Sequence, residues 1–232
     1  MLNGFQKELK PPSEDILKLF MKKTYSRPSF EIETKLRSEG YALIAGVDEV
    51  GRGALAGPIV AAAVVFDIEK KFEGLRKIVD SKIINKDDRE DVEKIIRKEA
   101  ISIGIGTVEV SEIDKFGIGA ANILAFDRAL QNIKLDFVLI DGRNFRGFNH
   151  KFSCIEKGES KSISIAAASI IAKVYRDNLM DKLHIYNSIY GFNKHKGYGA
   201  KLHIEAIKKH GPSKHHRKSF LKNILNKNIE LI

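Results

Sequence analysis

Two short apolar runs, each followed by an aspartate, constrain the fold of this chain most strongly. Leu43-Ile44-Ala45-Gly46-Val47 precedes Asp48, and Phe137-Val138-Leu139-Ile140 precedes Asp141. Apolar runs of this length are typical of strands that are buried on both faces of a sheet. Because segments with helical spacing of apolar residues lie between such runs, the sequence predicts an α/β domain with a central mixed β-sheet flanked by helices.

The predicted elements follow from the period of the apolar residues along the chain. Strands are expected at residues 42–47, 59–66, 101–110, 137–140 and 152–155, and helices at 14–22, 30–39, 86–98, 120–132 and 164–186. We divide the chain into an N-terminal helical extension at residues 1–40, a core at 41–190, and a basic, mainly helical C-terminal region at 191–232. We expect both outer segments to pack on the core.

The charge balance favours a polyanionic partner. Lysine and arginine total 40 against 30 acidic residues, which gives a net charge of +10. A basic surface of this kind fits nucleic acid, although many soluble proteins are basic without binding it. Charge alone therefore leaves nucleic-acid binding at even odds.

The compartment is predicted from what the sequence lacks. The single cysteine, Cys154, cannot form an intrachain disulfide, which favours a reducing, cytoplasmic location. The longest apolar run, residues 54–66, is interrupted by Gly57 and Pro58 and is shorter than the roughly 18 residues that a membrane span needs. The first ten residues contain no signal-peptide core. We therefore expect neither export by that route nor a membrane anchor.

The aspartates after the two apolar runs suggest a metal site. The carboxyl ends of strands in an open α/β sheet are where sites form, and carboxylates gathered there repel one another unless a cation neutralises them. Such oxygen ligands suit Mg²⁺ or Mn²⁺. The alternative is that Asp141-Gly142 is a simple turn. Strict alternation also points Asp48 and Glu49 to opposite faces, so both serve one site only if the strand bends or ends there.

Several ordered motifs carry much more information than the spacing does. They are Asp48-Glu49-Val50-Gly51-Arg52-Gly53, Asp80-Ser81-Lys82, Asp141-Gly142, Lys157-Gly158-Glu159-Ser160, the run from Ile165 to Val174 followed by Arg176-Asp177, Tyr190-Gly191-Phe192, His195-Lys196-Gly197-Tyr198-Gly199, and His215-His216-Arg217-Lys218-Ser219-Phe220. In wording and order these motifs resemble the ribonuclease HII family. The resemblance covers about residues 42–220.

The resemblance implies an RNase H-like fold that presents four acidic residues to a divalent metal ion, Mn²⁺ or Mg²⁺. Asp48, Glu49 and Asp141 correspond directly and are the implied metal ligands. The fourth catalytic position, an aspartate in the family, is Glu159 here. Glutamate has one methylene more than aspartate. Either the backbone at Glu159 therefore lies slightly further from the site, or a second metal ion is bound in a different position.

The resemblance also implies the substrate-binding residues. Gly51, Arg52 and Gly53 form the loop that recognises the 2′-hydroxyl of a ribonucleotide, and glycines let backbone N–H groups approach oxygen atoms closely. Tyr198 corresponds to the tyrosine that stacks on the sugar near the RNA–DNA junction, and Lys82 is expected to contact a phosphate. The basic residues after Gly191 are expected to clamp the duplex backbone. The histidines among them lack a convincing ligand spacing for zinc.

The implied activity is that of an endonuclease that cuts the RNA strand of RNA–DNA hybrids. It would also cut at ribonucleotides embedded in duplex DNA, using water activated by a divalent metal and leaving 5′-phosphate and 3′-hydroxyl ends. We expect a monomer that binds these two kinds of duplex. Two alternatives remain open: an RNase H-like, structure-selective DNA nuclease, and a non-catalytic nucleic-acid binding module.

Overall fold

Five strands form the centre of the molecule. The computed structural model describes residues 27–70, 78, 85–143 and 145–225. The strands are β1 (Ile44–Val50), β2 (Ile59–Phe66), β3 (Ala100–Val108), β4 (Phe137–Asp141) and β5 (Phe152–Ile155), in the order β3-β2-β1-β4-β5. β2 runs antiparallel to β1 and β3, whereas β4 runs parallel to β1 and β5. The prediction of a mixed sheet is confirmed.

Helices cover the sheet and form the C-terminal region. They are α1 (Glu31–Ser38), α2 (Lys86–Glu99), α3 (Val110–Phe116), α4 (Ile118–Leu130), α5 (Ile163–Tyr186), α6 (Phe192–His195), α7 (Lys201–His210) and α8 (Lys218–Leu225). Two short 3₁₀ turns lie at Gly158–Ser160 and Ser188–Tyr190. The helix predicted at residues 14–22 and the Asp80-Ser81-Lys82 motif lie outside the described residues.

Helices α4 and α5 pack on opposite faces of β1. On one face Ala45 and Val47 are buried with Phe126 of α4. On the other face α5 comes so close that a Cβ built on Gly46 would lie 2.1 Å from the backbone carbon of Ser164. The small residues at the start of α5, Ala166 to Ala168, are fully buried. Glycine on the strand and alanine on the helix therefore allow this close approach.

The α1 helix packs on the core beside the first residues of β1 and β4. Its Ile32 and Leu36 are fully buried and share an apolar cluster with Ile44 and Phe137. The buried carboxylate of Glu33 accepts hydrogen bonds from the Ser162 hydroxyl and the backbone N–H of Ser164, at 2.6 and 3.1 Å. This polar contact ties α1 to the start of α5.

Two local predictions are wrong. The first strand was expected at residues 42–47, but β1 runs from Ile44 to Val50, because β2 pairs with it as far as Val50 and Val60. The sequence analysis also missed α3, whose seven residues are too few to show a helical period. Among the described residues, no helix has both the length and the apolar character that a membrane crossing requires.

Candidate active site

Asp48 of β1 and Asp141, the last residue of β4, lie side by side just beyond the last residue pair that joins these two parallel strands. In the register of β1 and β4, Val47 is paired with Ile140, so the next residue of each strand is one of the two aspartates. Asp48 is only 7% exposed. Burial raises the pKa of Asp48 well above its usual range, and repulsion by Asp141 and then Glu49 raises it further. A cation is what would relieve this repulsion.

Glu49 reaches the same cleft from the other face of β1. Asp48 is hydrogen-bonded with Ser169 of α5, whereas Glu49 is hydrogen-bonded with Asn122 of α4. The alternation of the strand is therefore kept, and both side chains line one cleft because it opens over the end of the sheet. Burial raises the pKa of Glu49, and the guanidinium of Arg52, 3.8 Å away, opposes that shift.

Glu159 lies behind the two aspartates in the first 3₁₀ turn. Lys157 enters this turn with φ at 55°, and the backbone N–H of Gly158 donates to Asp141 Oδ1 at 2.6 Å. The Glu159 side chain is buried, and its Oε2 accepts from the Ser169 hydroxyl at 3.3 Å. Its charge also contributes to the raised pKa of Asp48. The turn therefore gathers a fourth carboxylate beside the pair.

The glycine loop and Tyr198 meet in the same cleft. Tyr198 lies more than 140 residues after the loop, yet its phenol oxygen accepts the backbone N–H of Gly51 at 3.1 Å. Gly51 adopts a φ of +90°, which favours glycine. Arg52 is exposed at the rim. The structure thus brings together four of the five predicted substrate-binding residues, and the fifth, Lys82, lies outside the described residues.

The cleft combines acidic and basic side chains. It encloses about 520 Å³ and is lined by the carboxylates of Asp48, Glu49 and Asp141, the loop, Tyr198, and three residues to which the sequence analysis gave no role: Arg89, Ser169 and Lys173. Arg89 comes from α2, for which the sequence predicted only a helix at residues 86–98. Lys173 is four residues beyond Ser169 on α5, so both project from one side of that helix. Only their tertiary placement reveals these residues as part of the site.

The donor set fits a hard divalent cation bound in an open site. Within the described residues, no three His, Cys, Asp or Glu side chains converge as a closed metal cluster. Mg²⁺ sites of nucleic-acid enzymes use one or two carboxylates and take their other oxygens from water and substrate phosphate. Asp48 and Asp141, with Glu49 beside them, supply such carboxylates, and their mutual repulsion is the feature that a cation would relieve.

Solved structures share this architecture. The crystal structure of ribonuclease H2 from Pyrococcus horikoshii superposes with a TM-score of 0.66 at 27% identity, over 80% of this chain and 98% of that one. RNase HII in the PCNA complex from Archaeoglobus fulgidus gives a TM-score of 0.65 at 23% identity, over 76% and 94% of the two chains. The sheet, its helices and the carboxylate cleft therefore define an RNase H-like nuclease.

Sequence relatives give the narrower assignment. A model of the family described as Ribonuclease HII matches residues 45–223. Ribonuclease HII of Clostridium botulinum (strain Loch Maree / Type A3) is 45% identical over 97% of this chain and 88% of its own length. That of Caldicellulosiruptor bescii is 47% identical over 85% and 95%. The chain belongs to the ribonuclease HII family and has the ribonuclease H activity of that family.

Proposed function

We propose that this protein hydrolyses the RNA strand of RNA–DNA hybrids and also cuts duplex DNA at single embedded ribonucleotides. The products carry 5′-phosphate and 3′-hydroxyl ends. The observation that carries the proposal is one cleft that holds both parts of such a site. Asp48 and Asp141 line it, and so do the Gly51–Gly53 loop and Tyr198.

Asp48, Glu49 and Asp141 are the proposed metal ligands, and Glu159 completes the catalytic set. When bound, a divalent cation makes water a stronger nucleophile at neutral pH and neutralises charge on the scissile phosphate. Mg²⁺ or Mn²⁺ suits these oxygen donors, and Bst-RNase HIII, which shares the fold at 20% identity, was solved with Mn²⁺. Because Glu159 is buried behind the pair and held by Ser169, its role is to orient Asp48 and to add negative charge.

The glycine loop and Tyr198 supply recognition of the ribonucleotide. Backbone N–H groups of the glycine loop donate to the ribose 2′-hydroxyl, which DNA lacks. The exposed ring of Tyr198 packs on the adjacent sugar while its phenol oxygen stays bonded to Gly51. Arg52, Arg89 and Lys173 provide positive charge for the phosphates on either side of the cut. Lys82 is proposed to contact a further phosphate, and the enzyme to act as a cytoplasmic monomer.

Replacing Asp48 with Asn tests the catalytic assignment. The substitution keeps the shape of the side chain but removes its charge, so we expect cleavage of a duplex with one ribonucleotide to fall by roughly a hundredfold or more. Asp127→Asn, at an exposed position of α4, is the matched control and should cut at the wild-type rate. Wild-type cleavage by the folded Asp48→Asn variant would refute the assignment.

A further inference from the structure

Two arginines are completely buried directly beneath the glycine loop. Arg176 of α5 and Arg217, which immediately precedes α8, are both 0% exposed. A buried guanidinium is costly unless its donors are satisfied. The hydrogen-bond partners of the two guanidiniums must therefore offset the cost of burying them.

Both guanidiniums donate to backbone carbonyls. Arg217 donates to the carbonyl of Gly57 from Nε and Nη2, at 3.0 and 2.8 Å, and to that of Arg52 from Nη1 at 3.0 Å. Arg176 donates to the carbonyls of Pro58, Ala56 and Lys196, at 2.9, 3.1 and 2.8 Å. These bonds turn the carbonyls of the segment from Arg52 to Pro58 inward, toward the two positive charges.

The bond to Arg52 has a geometric consequence for the next residue. The described chain contains no cis peptide bond, so the carbonyl of Arg52 and the N–H of Gly53 point in opposite directions. With the carbonyl held inward by Arg217, the N–H of Gly53 is turned outward. Gly53 lines the cleft, and a Cβ built on it would meet nothing within 4 Å.

We propose that Arg217, supported by Arg176, is a positioning residue that fixes the Gly53 N–H as the donor for the ribose 2′-oxygen. The inference rests on the proposed function, because it assigns the 2′-oxygen as the group that is bound. Arg176 also lies under Tyr198, with its Cζ 5.4 Å from the ring centroid. One pair of buried cations thus positions both recognition elements and adds positive potential behind an anionic substrate.

The charges around the pair support this role. Burial, together with repulsion by Arg176, lowers the pKa of Arg217 to about 9, which leaves the guanidinium charged at neutral pH. Burial likewise lowers the pKa of Arg176, while Tyr198 and Asp177 oppose the shift. Two like charges are therefore held together against their repulsion, and the inward carbonyls are what stabilise them.

The test replaces Arg217 with Lys, which keeps the charge but has one nitrogen in place of the three that donate to the carbonyls of Arg52 and Gly57. We expect kcat/KM on a single-ribonucleotide duplex to fall roughly tenfold or more. Arg128→Lys is the control, because Arg128 also donates to a backbone carbonyl, that of Thr107 at 2.6 Å, far from the loop. The double variant Arg217→Lys, Gly53→Ala should lose less kcat/KM than the product of the two single fold-decreases, since both substitutions act on one contact. A merely structural role for Arg217 would give effects that multiply.

A second measurement does not depend on how well Arg217→Lys folds. In the Asp48→Asn variant with Mg²⁺, the NMR signal of the Gly53 amide should shift more with a single-ribonucleotide duplex than with the same duplex made of DNA alone. Equal shifts, multiplying effects, or unchanged kcat/KM in folded Arg217→Lys would each overturn the inference. If the wild-type enzyme cuts the ribonucleotide duplex, such a result leaves the proposed function intact; if it does not cut, both fail.

Discussion

The two glycines of the recognition loop have different physical roles. Gly51 has φ at +90°, and a Cβ there would lie 2.1 Å from Nε of the buried Arg176. Gly53 has neither restriction, since a Cβ there meets nothing within 4 Å. The first glycine is therefore required by the fold, and the second is required only by what enters the cleft.

This difference predicts opposite outcomes for two alanine variants. Gly51→Ala should lower the free energy of unfolding by about 2 kcal/mol or more, because strain and overlap with a fully buried side chain combine. Gly53→Ala should unfold within about 0.5 kcal/mol of wild type, yet lose cleavage of a single-ribonucleotide duplex because its methyl group stands in the path of the sugar. Denaturant titration and kcat/KM measure the two effects. A stable Gly51→Ala or a fully active Gly53→Ala would contradict this division.

Individual residues of the site could be named from the sequence only through ordered motifs. The spacing of Asp48 and Asp141 alone left a turn as the alternative, and the register of β1 with β4, which brings them together, is a tertiary fact. Arg217 was expected to clamp the duplex backbone with the other basic residues after Gly191, and that prediction is wrong because its side chain is completely buried. Its bonds to a carbonyl 160 residues away leave no local pattern in the sequence. The motifs thus named the candidate site residues, and the fold showed which backbone carbonyls the buried Arg217 bonds.

At the scale of elements, continuous burial made the prediction of β2 succeed. All eight residues of β2 are buried, so its apolar run gave the observed bounds, Ile59–Phe66. The predicted end of β1 was wrong because the strand ends where its pairing with β2 ends, and not where the sequence becomes polar. The C-terminal region was predicted only as mainly helical, without bounds for its short elements such as α6. The position of α6 depends on its contacts with α5, which the sequence does not reveal.

The contact between β1 and α5 gives an element-scale prediction. Adding one methyl group in Gly46→Ala would place it 2.1 Å from the backbone of α5, where no flexible side chain can move aside. We expect the free energy of unfolding to fall by about 3 kcal/mol or more. Gly119→Ala, at a helix position where a Cβ meets nothing within 4 Å, is the control and should be neutral or stabilising. Equal stability of the two variants in urea would refute the close packing.

A chain of hydrogen-bonded histidines links α7 to the segment before α8. The backbone N–H of Ser213 donates to Nδ1 of His216, so the proton of His216 is on Nε2, which lies 3.0 Å from Nε2 of His203. Nδ1 of His203 then donates to the carbonyl of Tyr198 at 2.8 Å. This arrangement requires neutral rings. Burial, together with repulsion by His203, lowers the pKa of His216 to about 4.

The chain predicts a stability that depends on pH. Because the folded pKa of His216 lies below its ordinary value of 6.5, the unfolded chain binds more protons between these two values, and stability is lost as pH falls from about 6.5 to about 4. The loss should be on the order of 2 kcal/mol. His216→Asn keeps an acceptor for Ser213 but does not titrate, so its stability should fall less steeply. The raised pKa values of Asp48 and Glu49 make stability rise as pH falls. This contribution is the same in the wild type and in His216→Asn, so it cancels when their slopes are compared. Identical slopes in urea titrations would contradict the assignment.

At the scale of the whole molecule, negative carboxylates lie within a protein of net charge +10. The cleft is lined by Arg52, Arg89 and Lys173 as well as by the carboxylates, so phosphates can approach it despite the negative charge. A binding module without catalysis has no reason to place buried carboxylates where a polyanion approaches. The distribution of charge thus favours a metal-dependent nuclease over a simple nucleic-acid binder.

Binding should therefore depend strongly on salt. With about four phosphate contacts, affinity for a hybrid duplex should fall roughly a hundredfold between 50 and 200 mM salt. Arg52→Ala should reduce the slope of log affinity against log salt by about one. Lys94→Ala, which removes an exposed lysine paired with Asp91 on α2, should leave the slope unchanged. Fluorescence anisotropy measures both, and equal slopes for the two variants would argue against phosphate contact by Arg52.

The most direct test of the central claim compares three duplexes of one sequence: an RNA–DNA hybrid, DNA with a single ribonucleotide, and DNA alone. With Mg²⁺ or Mn²⁺ we predict cleavage of the first two, with 5′-phosphate ends, and none of the third, and we predict that chelation of the metal abolishes all cutting. Equal cutting of plain DNA would contradict recognition of the 2′-hydroxyl by the loop and Tyr198. Cutting that persists after chelation would contradict a metal held by Asp48 and Asp141.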